Sequence, residues 1–136
     1  MTDHLSPELR SENMRRIRSK GTSPEMTVRR TAHALGYRFR LHRKGLPGAP
    51  DLVFSSRRKV IFVHGCFWHR HKSCSRATMP KTNTSYWKQK FKATVERDRR
   101  NMKKLKEIGW SPYIIWECST RDLESLIKKI DGIIEG

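Results

Sequence analysis

The sequence is poor in acidic residues. Only 13 Asp and Glu stand against 30 Lys and Arg, which gives a formal net charge of +17 and a sequence pI near 10.6. This imbalance favours a polyanionic partner, and nucleic acid is the most common one. An anionic membrane surface is the alternative. The chain is not a bare basic arm, because the positive charge is spread through the predicted helices and loops.

Long apolar runs are also missing. No stretch approaches the length that spans a bilayer, and the first residues, MTDHLSPELR, lack the features of a signal peptide. We therefore expect a cytoplasmic protein. We find no internal repeat, low-complexity tract or clear linker, and 136 residues are enough to bury one core, so a single domain over residues 1–136 is predicted.

Cysteine is scarce. The three cysteines, Cys66, Cys74 and Cys118, are an odd number, and a reducing compartment disfavours disulfides. They are therefore expected to be core thiols, metal ligands or nucleophiles.

A basic helix is predicted near the N-terminus. Ser6-Pro7-Glu8 is a typical helix start, and the helix would run to about Lys20. Its apolar side is thin, consisting mainly of Met14 and Ile17. Four arginines surround them: Arg10, Arg15, Arg16 and Arg18. A helix this polar cannot be largely buried by its own domain, so it is either solvated or laid on a nucleic acid.

The remaining pattern predicts a mixed sheet flanked by helices, in the order α-α-β-β-β-α-β-α. Residues 51–54 and 59–64 are apolar runs around the polar turn SSRR, which is typical of an antiparallel hairpin. Counting back from the turn places Asp51 opposite Phe62 or Val63. Asp51 and His64 are then expected at the same end of the sheet.

The segment FVHGCFWHRHKSC, residues 62–74, concentrates metal ligands, proton-transfer groups and bulky aromatics. His71 and Cys74 form a short chelating pair, Cys118 follows a predicted strand, and Asp98 lies on the core side of a predicted helix. Four such ligands suit a tetrahedral, structural zinc ion. Alternatively, Cys74 and Cys118 are ordinary buried thiols and His71 is a surface base. Cys66, beside an apolar pair, is expected to belong to the core.

A second site combines carboxylates with histidines. Asp51 follows Pro50 at a strand start, where a carboxylate suits Mg²⁺ and phosphodiester hydrolysis. His64 and His69 are the candidates to take a proton from water. The alternative for Asp51 is a turn or cap residue. For Glu25, in a second Ser-Pro-Glu start, the alternative is a carboxylate at a helix N-terminus.

Aromatic residues form a third group. Phe67, Trp68 and Trp87 are bulky side chains in a basic protein, where exposed rings can wedge between bases or stack on them. Core packing is the alternative, and for Trp87, on an apolar helix stripe, it is about equally favoured.

Four motifs, in order LPGAPDLVF, VIFVHGCFWHRH, VERDRRN and GWSPYIIWEC, resemble those of the very-short-patch (Vsr) mismatch repair endonucleases. The resemblance covers nearly the whole chain, from NMRRIRSKGTSPE onward. It implies a restriction-endonuclease-like α/β fold, with a DNA-contacting helix in residues 1–20 and a catalytic core in residues 21–136. It also implies that one DNA strand is nicked 5′ of the T in a T:G mismatch, which arises when 5-methylcytosine deaminates.

The resemblance also implies roles for individual residues. Asp51 and the main-chain carbonyl of Val63 would bind Mg²⁺. His69 would be the general base supported by Glu25, and His64 would contact phosphate or assist the transition state. The implied zinc ligands are His71, Cys74, Asp98 and Cys118. The residues implied to contact DNA are Phe67, Trp68, Trp87, Met14, Ile17, Arg15, Arg16 and Lys20.

The implied setting is a bacterial, nucleoid-associated protein in the cytoplasm. Its partners would be double-stranded DNA with a T:G mismatch, mismatch-repair proteins and a repair DNA polymerase, and the protein would act as a monomer. Two other functions stay open. One is a restriction-like endonuclease that cuts both strands at a specific sequence, and the other is a zinc-stabilised DNA-binding module without catalysis.

The sequence departs from the family pattern at two places. Position 63 is valine where a threonine is expected, which is harmless if the metal takes the main-chain carbonyl. The segment HRHKSC has one more residue between its last histidine and Cys74 than expected.

Overall fold

The structure, a computed structural model, describes residues 23–136. The predicted N-terminal helix and its candidate residues Met14, Arg15, Arg16, Ile17 and Lys20 lie outside this range. The helices within it are α1 (Ser23–Ala34), α2 (Thr84–Glu107) and α3 (Leu123–Glu135), and the strands are β1 (Arg40–Leu41), β2 (Leu52–Phe54), β3 (Lys59–His64) and β4 (Ser111–Trp116). Short 3₁₀ turns occupy Ser55–Arg57 and Glu117–Arg121.

The four strands form one mixed sheet in the order β1-β2-β3-β4. Strands β1, β2 and β3 are antiparallel neighbours, whereas β4 runs parallel to β3 and is reached through α2. The predicted hairpin is confirmed. Leu52 pairs with Ile61, so Asp51 falls opposite Phe62, and His64 ends the neighbouring strand at the same end of the sheet.

Successive residues of a strand point to opposite faces of the sheet, and in this sheet helices cover both faces. Leu52 and Phe54 pack on one face with residues of α1 and α3 such as Val28 and Ile130. On the opposite face, Val53 belongs to a second core that includes Leu105 of α2. This double burial explains why the central strands read as continuous apolar runs rather than alternating ones.

Helix α2 connects β3 to β4 and carries much of the positive charge. Its 24 residues include nine Lys and Arg but only three Asp and Glu, and most of these side chains are exposed. Phe91 and Leu105 are its buried residues. Within residues 23–136, no helix is both long enough and apolar enough to cross a membrane.

The loop before β2 is shaped by a left-handed turn against α2. Gly48 has φ +77° and Ala49 has φ +47°, and Pro50 is buried next to Asp51. A Cβ atom at Gly48 would come within 3.0 Å of Cβ of Asn101. Glycine is therefore required at position 48 for two reasons, the positive backbone angle and the close approach of α2.

We expect Gly48→Ala to destabilise the protein more than Gly36→Ala. Both glycines have positive φ, but Gly36 has nothing within 4 Å of an added Cβ, so it carries only the backbone strain of about 1–2 kcal/mol. Urea unfolding of both variants measures the difference. Equal losses would show that Asn101 moves aside freely and that the loop is not held against α2.

Candidate functional site

Asp51 is fixed at the end of the hairpin by the backbone of β3. Its N–H donates to the carbonyl of Ile61 (3.1 Å), and its Oδ2 accepts the N–H of Val63 (2.7 Å). Burial raises the pKa of the Asp51 carboxyl to about 6, against the lowering effect of the Val63 hydrogen bond. The negative charge of Glu25 raises it further. A bound cation would offset both costs, so the site fits a divalent metal ion.

Glu25, His42 and Asp51 form one group of possible metal ligands. Glu25 lies in the first turn of α1 and is buried, and its Oε2 accepts hydrogen bonds from Arg29 and from Nε2 of His42 (2.9 Å). Nδ1 of His42 lies 3.8 Å from Oδ1 of Asp51. Two carboxylates and an imidazole, from three separate parts of the chain, thus converge at the end of the sheet.

A second group consists of His64, His69 and Asp98. Nδ1 of His69 and Oδ2 of Asp98 are 2.6 Å apart. The imidazole ring of His69 also stacks on that of His64, with 3.8 Å between the ring centroids. His64 is buried, and burial lowers its pKa to about 4, so it is neutral at neutral pH. The strand pairing places Asp51 and His64 at the same end of the sheet, and the positive charge of His69 lowers the pKa of Asp51.

The third group is a cluster of thiols around one imidazole, formed by Cys66, His71, Cys74 and Cys118. Nδ1 of His71 lies 3.6 Å from Sγ of Cys66 and 3.5 Å from Sγ of Cys118. These separations match the edge of about 3.6 Å for a tetrahedron with Zn–S bonds near 2.3 Å and Zn–N bonds near 2.0–2.1 Å. The cluster could therefore hold a zinc ion.

The surroundings of this cluster hold its members in place. His71 stacks on Trp116 of β4 at 4.2 Å, and the N–H of Cys66 donates to Oε1 of Glu117 (3.3 Å). Ser73 has φ +55° and bends the loop that contains the additional residue of HRHKSC. His71 and Cys74 still meet within the same cluster.

The structure differs from the sequence prediction in one member of this group. Asp98 was expected beside His71, Cys74 and Cys118, but it lies against His69, and Cys66 takes its place. The physical reason is the sharp turn after β3, in which the N–H of His71 donates to the carbonyl of Cys66 (3.0 Å) and brings the two side chains together. In the structure the Asp98 carboxylate on α2 pairs with His69.

Glu25, for which the resemblance implies support of His69, lies in the group with His42 and Asp51. The main-chain N–H of Val63 donates to Asp51, and the Val63 side chain packs against the core. Valine in place of threonine therefore removes none of the contacts that hold Asp51.

The predicted aromatic residues form a half-buried cluster between the loop after β3 and the first turns of α2. Phe67 contacts Trp68 at 5.0 Å and Trp87 at 6.1 Å, and Trp68 contacts Trp87 at 5.8 Å. Phe91 is the buried base of the cluster, with the Arg70 guanidinium 4.0 Å from its ring centroid. Trp87 is thus partly buried and packs on Phe67, Trp68 and Phe91.

Sequence reasoning missed the position of His42 beside Asp51 and that of Cys66 in the thiol cluster. His42 follows a strand of only two residues and has φ +48°, so no periodic pattern marks it. For Cys66 a signal was present, because a thiol five residues before a chelating histidine can reach the same ion across a turn.

A carboxylate pair and an Asp–His pair at one end of a mixed sheet, beside half-buried aromatics on a basic chain, suit a metal-dependent nuclease. Comparison with known proteins identifies the family. Residues 2–76 match the family model described as DNA mismatch endonuclease Vsr. The resemblance found in the motifs is thereby confirmed.

Three relatives match over most of their lengths. The Type II nicking enzyme V.XorIIP of Xanthomonas oryzae is 49% identical over 99% of this chain and 98% of its own. The DNA mismatch endonuclease Vsr of Escherichia coli is 42% identical over 93% of this chain and 80% of its own. The Type II nicking enzyme V.NmeAIP of Neisseria meningitidis is 40% identical over 98% of this chain and 95% of its own. This chain belongs to the Vsr family of DNA endonucleases.

Proposed function

We propose that the protein nicks one strand of duplex DNA on the 5′ side of the T in a T:G mismatch. The observation that carries the proposal is the position of Asp51 and of the stacked pair His64 and His69 at one end of the sheet, beside the aromatic cluster. Relatives whose names describe a mismatch endonuclease and nicking enzymes support it. The nick would start short-patch repair after deamination of 5-methylcytosine.

Asp51 provides the oxygen that would hold a catalytic Mg²⁺ ion, with the main-chain carbonyl of Val63 as a second ligand. When bound, this ion supplies positive charge against the scissile phosphate. The protein fixes the position of the Asp51 carboxylate, because Val63 and Ile61 hold Asp51 through main-chain hydrogen bonds. The carboxylate therefore does not need to reorganise when the ion binds.

His69 is the general base in this proposal. Its Nδ1–H donates to Asp98, which leaves Nε2 to accept a proton from water, and the carboxylate stabilises the imidazolium that results. His64 stacks on His69 and restricts the orientation of its ring. From its buried position at the strand end, His64 is assigned to phosphate contact rather than to proton transfer.

The aromatic cluster is proposed to enter the duplex beside the mismatch. Separating stacked bases costs a few kcal/mol, and the cost is smallest at a mispair, so a wedge favours mismatched sites. Phe67, Trp68 and Trp87 hold one another in place through ring contacts. The basic face of α2 would follow the phosphates, and Met14, Ile17, Arg15, Arg16 and Lys20 are proposed to contact DNA from the N-terminal segment.

The cluster of Cys66, His71, Cys74 and Cys118 is proposed to bind a structural zinc ion. Four protein ligands leave no position for substrate. Because Cys66 and His71 flank Phe67, Trp68 and His69 in sequence, the ion would keep the wedge and the base in register. We further propose a monomer formed by one domain over residues 1–136 in the bacterial cytoplasm. It would be associated with the nucleoid and act with mismatch-repair proteins and a repair polymerase.

The strand-nicking proposal is tested with end-labelled duplexes that carry T:G, or C:G at the same position, in several sequence contexts with Mg²⁺. We expect one nick just 5′ of the mismatched T and none in the C:G duplex. Asp51→Asn should abolish the nick, because the amide lacks the charge that holds the ion.

Two results would contradict this proposal. Cleavage of both strands irrespective of mismatch would identify a restriction-like endonuclease. Binding without cleavage in every context, by folded protein containing zinc, would identify a DNA-binding module.

The zinc proposal is tested by one variant of each candidate for the fourth ligand, Cys66 and Asp98. We expect Cys66→Ser to lose bound zinc, measured by plasma mass spectrometry of purified protein, and to unfold at a lower temperature. Asp98→Asn should retain one zinc ion per chain and lose nicking activity, because the amide still bonds to His69 but cannot stabilise its charged form. Zinc loss in Asp98→Asn with retention in Cys66→Ser would restore the ligand set predicted from the sequence.

The wedge proposal predicts that Trp68→Ala reduces the preference for T:G over C:G duplexes in equilibrium binding. A stacking contact is worth about 1–3 kcal/mol, so the ratio of affinities should fall at least about fivefold. Met79→Ala, which removes an exposed apolar side chain from the same connection, is the control. An unchanged ratio in Trp68→Ala would assign this ring to packing alone.

A further inference from the structure

His42 stands between the two buried carboxylates of the nuclease site, yet neither the motifs nor the proposed mechanism gives it a role. It lies just after β1, and its N–H donates to the carbonyl of Asp51 (3.3 Å). Its φ of +48° turns the chain so that the imidazole is partly buried, with 20% of the side chain exposed. Residues with strained backbone angles cluster at functional sites, so this conformation of His42 beside Asp51 suggests a function for its side chain.

The two ring nitrogens of His42 have different surroundings. Nε2 lies 2.9 Å from Oε2 of Glu25, a hydrogen bond in which the imidazole donates to the carboxylate. The guanidinium of Arg29 is 3.4 Å from the same nitrogen, and it donates to the same Oε2 atom. Glu25 therefore fixes the tautomer that carries the proton on Nε2.

This tautomer leaves a lone pair on Nδ1, the ring nitrogen that lies near Asp51. The separation between Nδ1 and Oδ1 is 3.8 Å, which is too long for a hydrogen bond. It is compatible with two ligands that each lie about 2.0–2.2 Å from one metal ion. Oδ2 of Asp51 already accepts the Val63 N–H, so Oδ1 is the oxygen that faces the imidazole.

We propose that His42 is a nitrogen ligand of the catalytic metal ion, bound through Nδ1 opposite Oδ1 of Asp51 and oriented by Glu25. A ligating histidine usually donates its second N–H to a carboxylate, and the Glu25–His42 hydrogen bond has this form. The inference rests on the proposed function, because it concerns the metal site of that reaction. It reassigns Glu25 from support of the general base to support of a metal ligand.

A nitrogen ligand changes which ions the site prefers. Oxygen-only sites suit Mg²⁺, whereas imidazole increases affinity for transition ions, which generally bind such sites more tightly. The site is therefore assigned a preference for Mn²⁺ over Mg²⁺, and the preference depends on His42.

The test measures Mn²⁺ binding to zinc-loaded protein from the electron paramagnetic resonance signal of free Mn²⁺, and Mg²⁺ binding by competition. The variant is His42→Asn, because asparagine tolerates a left-handed backbone and its shorter side chain withdraws the nitrogen donor. We expect its Mn²⁺ affinity to fall at least about tenfold and its Mg²⁺ affinity by less than about threefold.

His33→Asn is the matched control, since His33 is exposed in the last turn of α1 and the chemical change is the same. It should leave both affinities unchanged, and thermal unfolding of both variants checks that the fold is intact. Equal losses of Mn²⁺ and Mg²⁺ affinity in His42→Asn would overturn the proposal, because a purely positioning histidine would affect both ions alike. Unchanged Mn²⁺ affinity, or no Mn²⁺ binding by the unmodified protein, would overturn it as well.

Nicking of T:G duplexes by the same preparations separates this inference from the proposed function. If the unmodified protein nicks and His42→Asn keeps full Mn²⁺ affinity, the role of His42 fails while the function stands. If His42-dependent Mn²⁺ binding is found without nicking of any mismatched duplex, the metal ligand stands and the function fails.

Discussion

The register of the β2–β3 hairpin is the constraint on which the functional site depends. Asp51 is held opposite Phe62 by main-chain hydrogen bonds, and Val63 donates to its side chain. A slip of one residue would move Asp51 to the other face of the sheet and exchange the two cores that Leu52, Val53 and Phe54 fill. Because both faces are buried, such a slip would cost much of the core. Burial of the strands thus specifies the position of a carboxylate that itself is costly to bury.

The elements that follow from periodic patterns were predicted well. The hairpin, the long helix that carries Asp98 and the parallel strand that leads to Cys118 lie where the alternation, the apolar stripe and the end signals indicated. The first of the three predicted β-strands before the long helix is only two residues long, because Arg40 and Leu41 are exposed at the edge of the sheet and only these two pair with β2. Alternating apolar and polar residues indicate a strand with one buried face, and both residues of this edge strand are exposed.

The partners of individual side chains could be predicted only in part. Sequence spacing brought together His71, Cys74 and Cys118 but added Asp98 in place of Cys66. The contact of Asp98 on α2 with His69 in the loop after β3 is a tertiary feature that spacing does not indicate. Glu25 and His42 are 17 residues apart and belong to no common motif, and only the packing of α1 against the turn after β1 brings them together. A carboxylate on an apolar face indicates that a partner exists, but it does not indicate which one.

The thiol cluster has a consequence for how the chain assembles. Its ligands join the loop after β3 to the end of β4, and all of α2 lies in the closed loop from Cys66 to Cys118. A metal ion bound there would act as a reversible cross-link that lowers the entropy of the unfolded chain, as a disulfide would. Folding of the chain would then be coupled to the supply of that metal. A chain released without the ion would keep the apolar cores of the sheet, while the segment that carries His69 and the aromatic residues would lose its anchor.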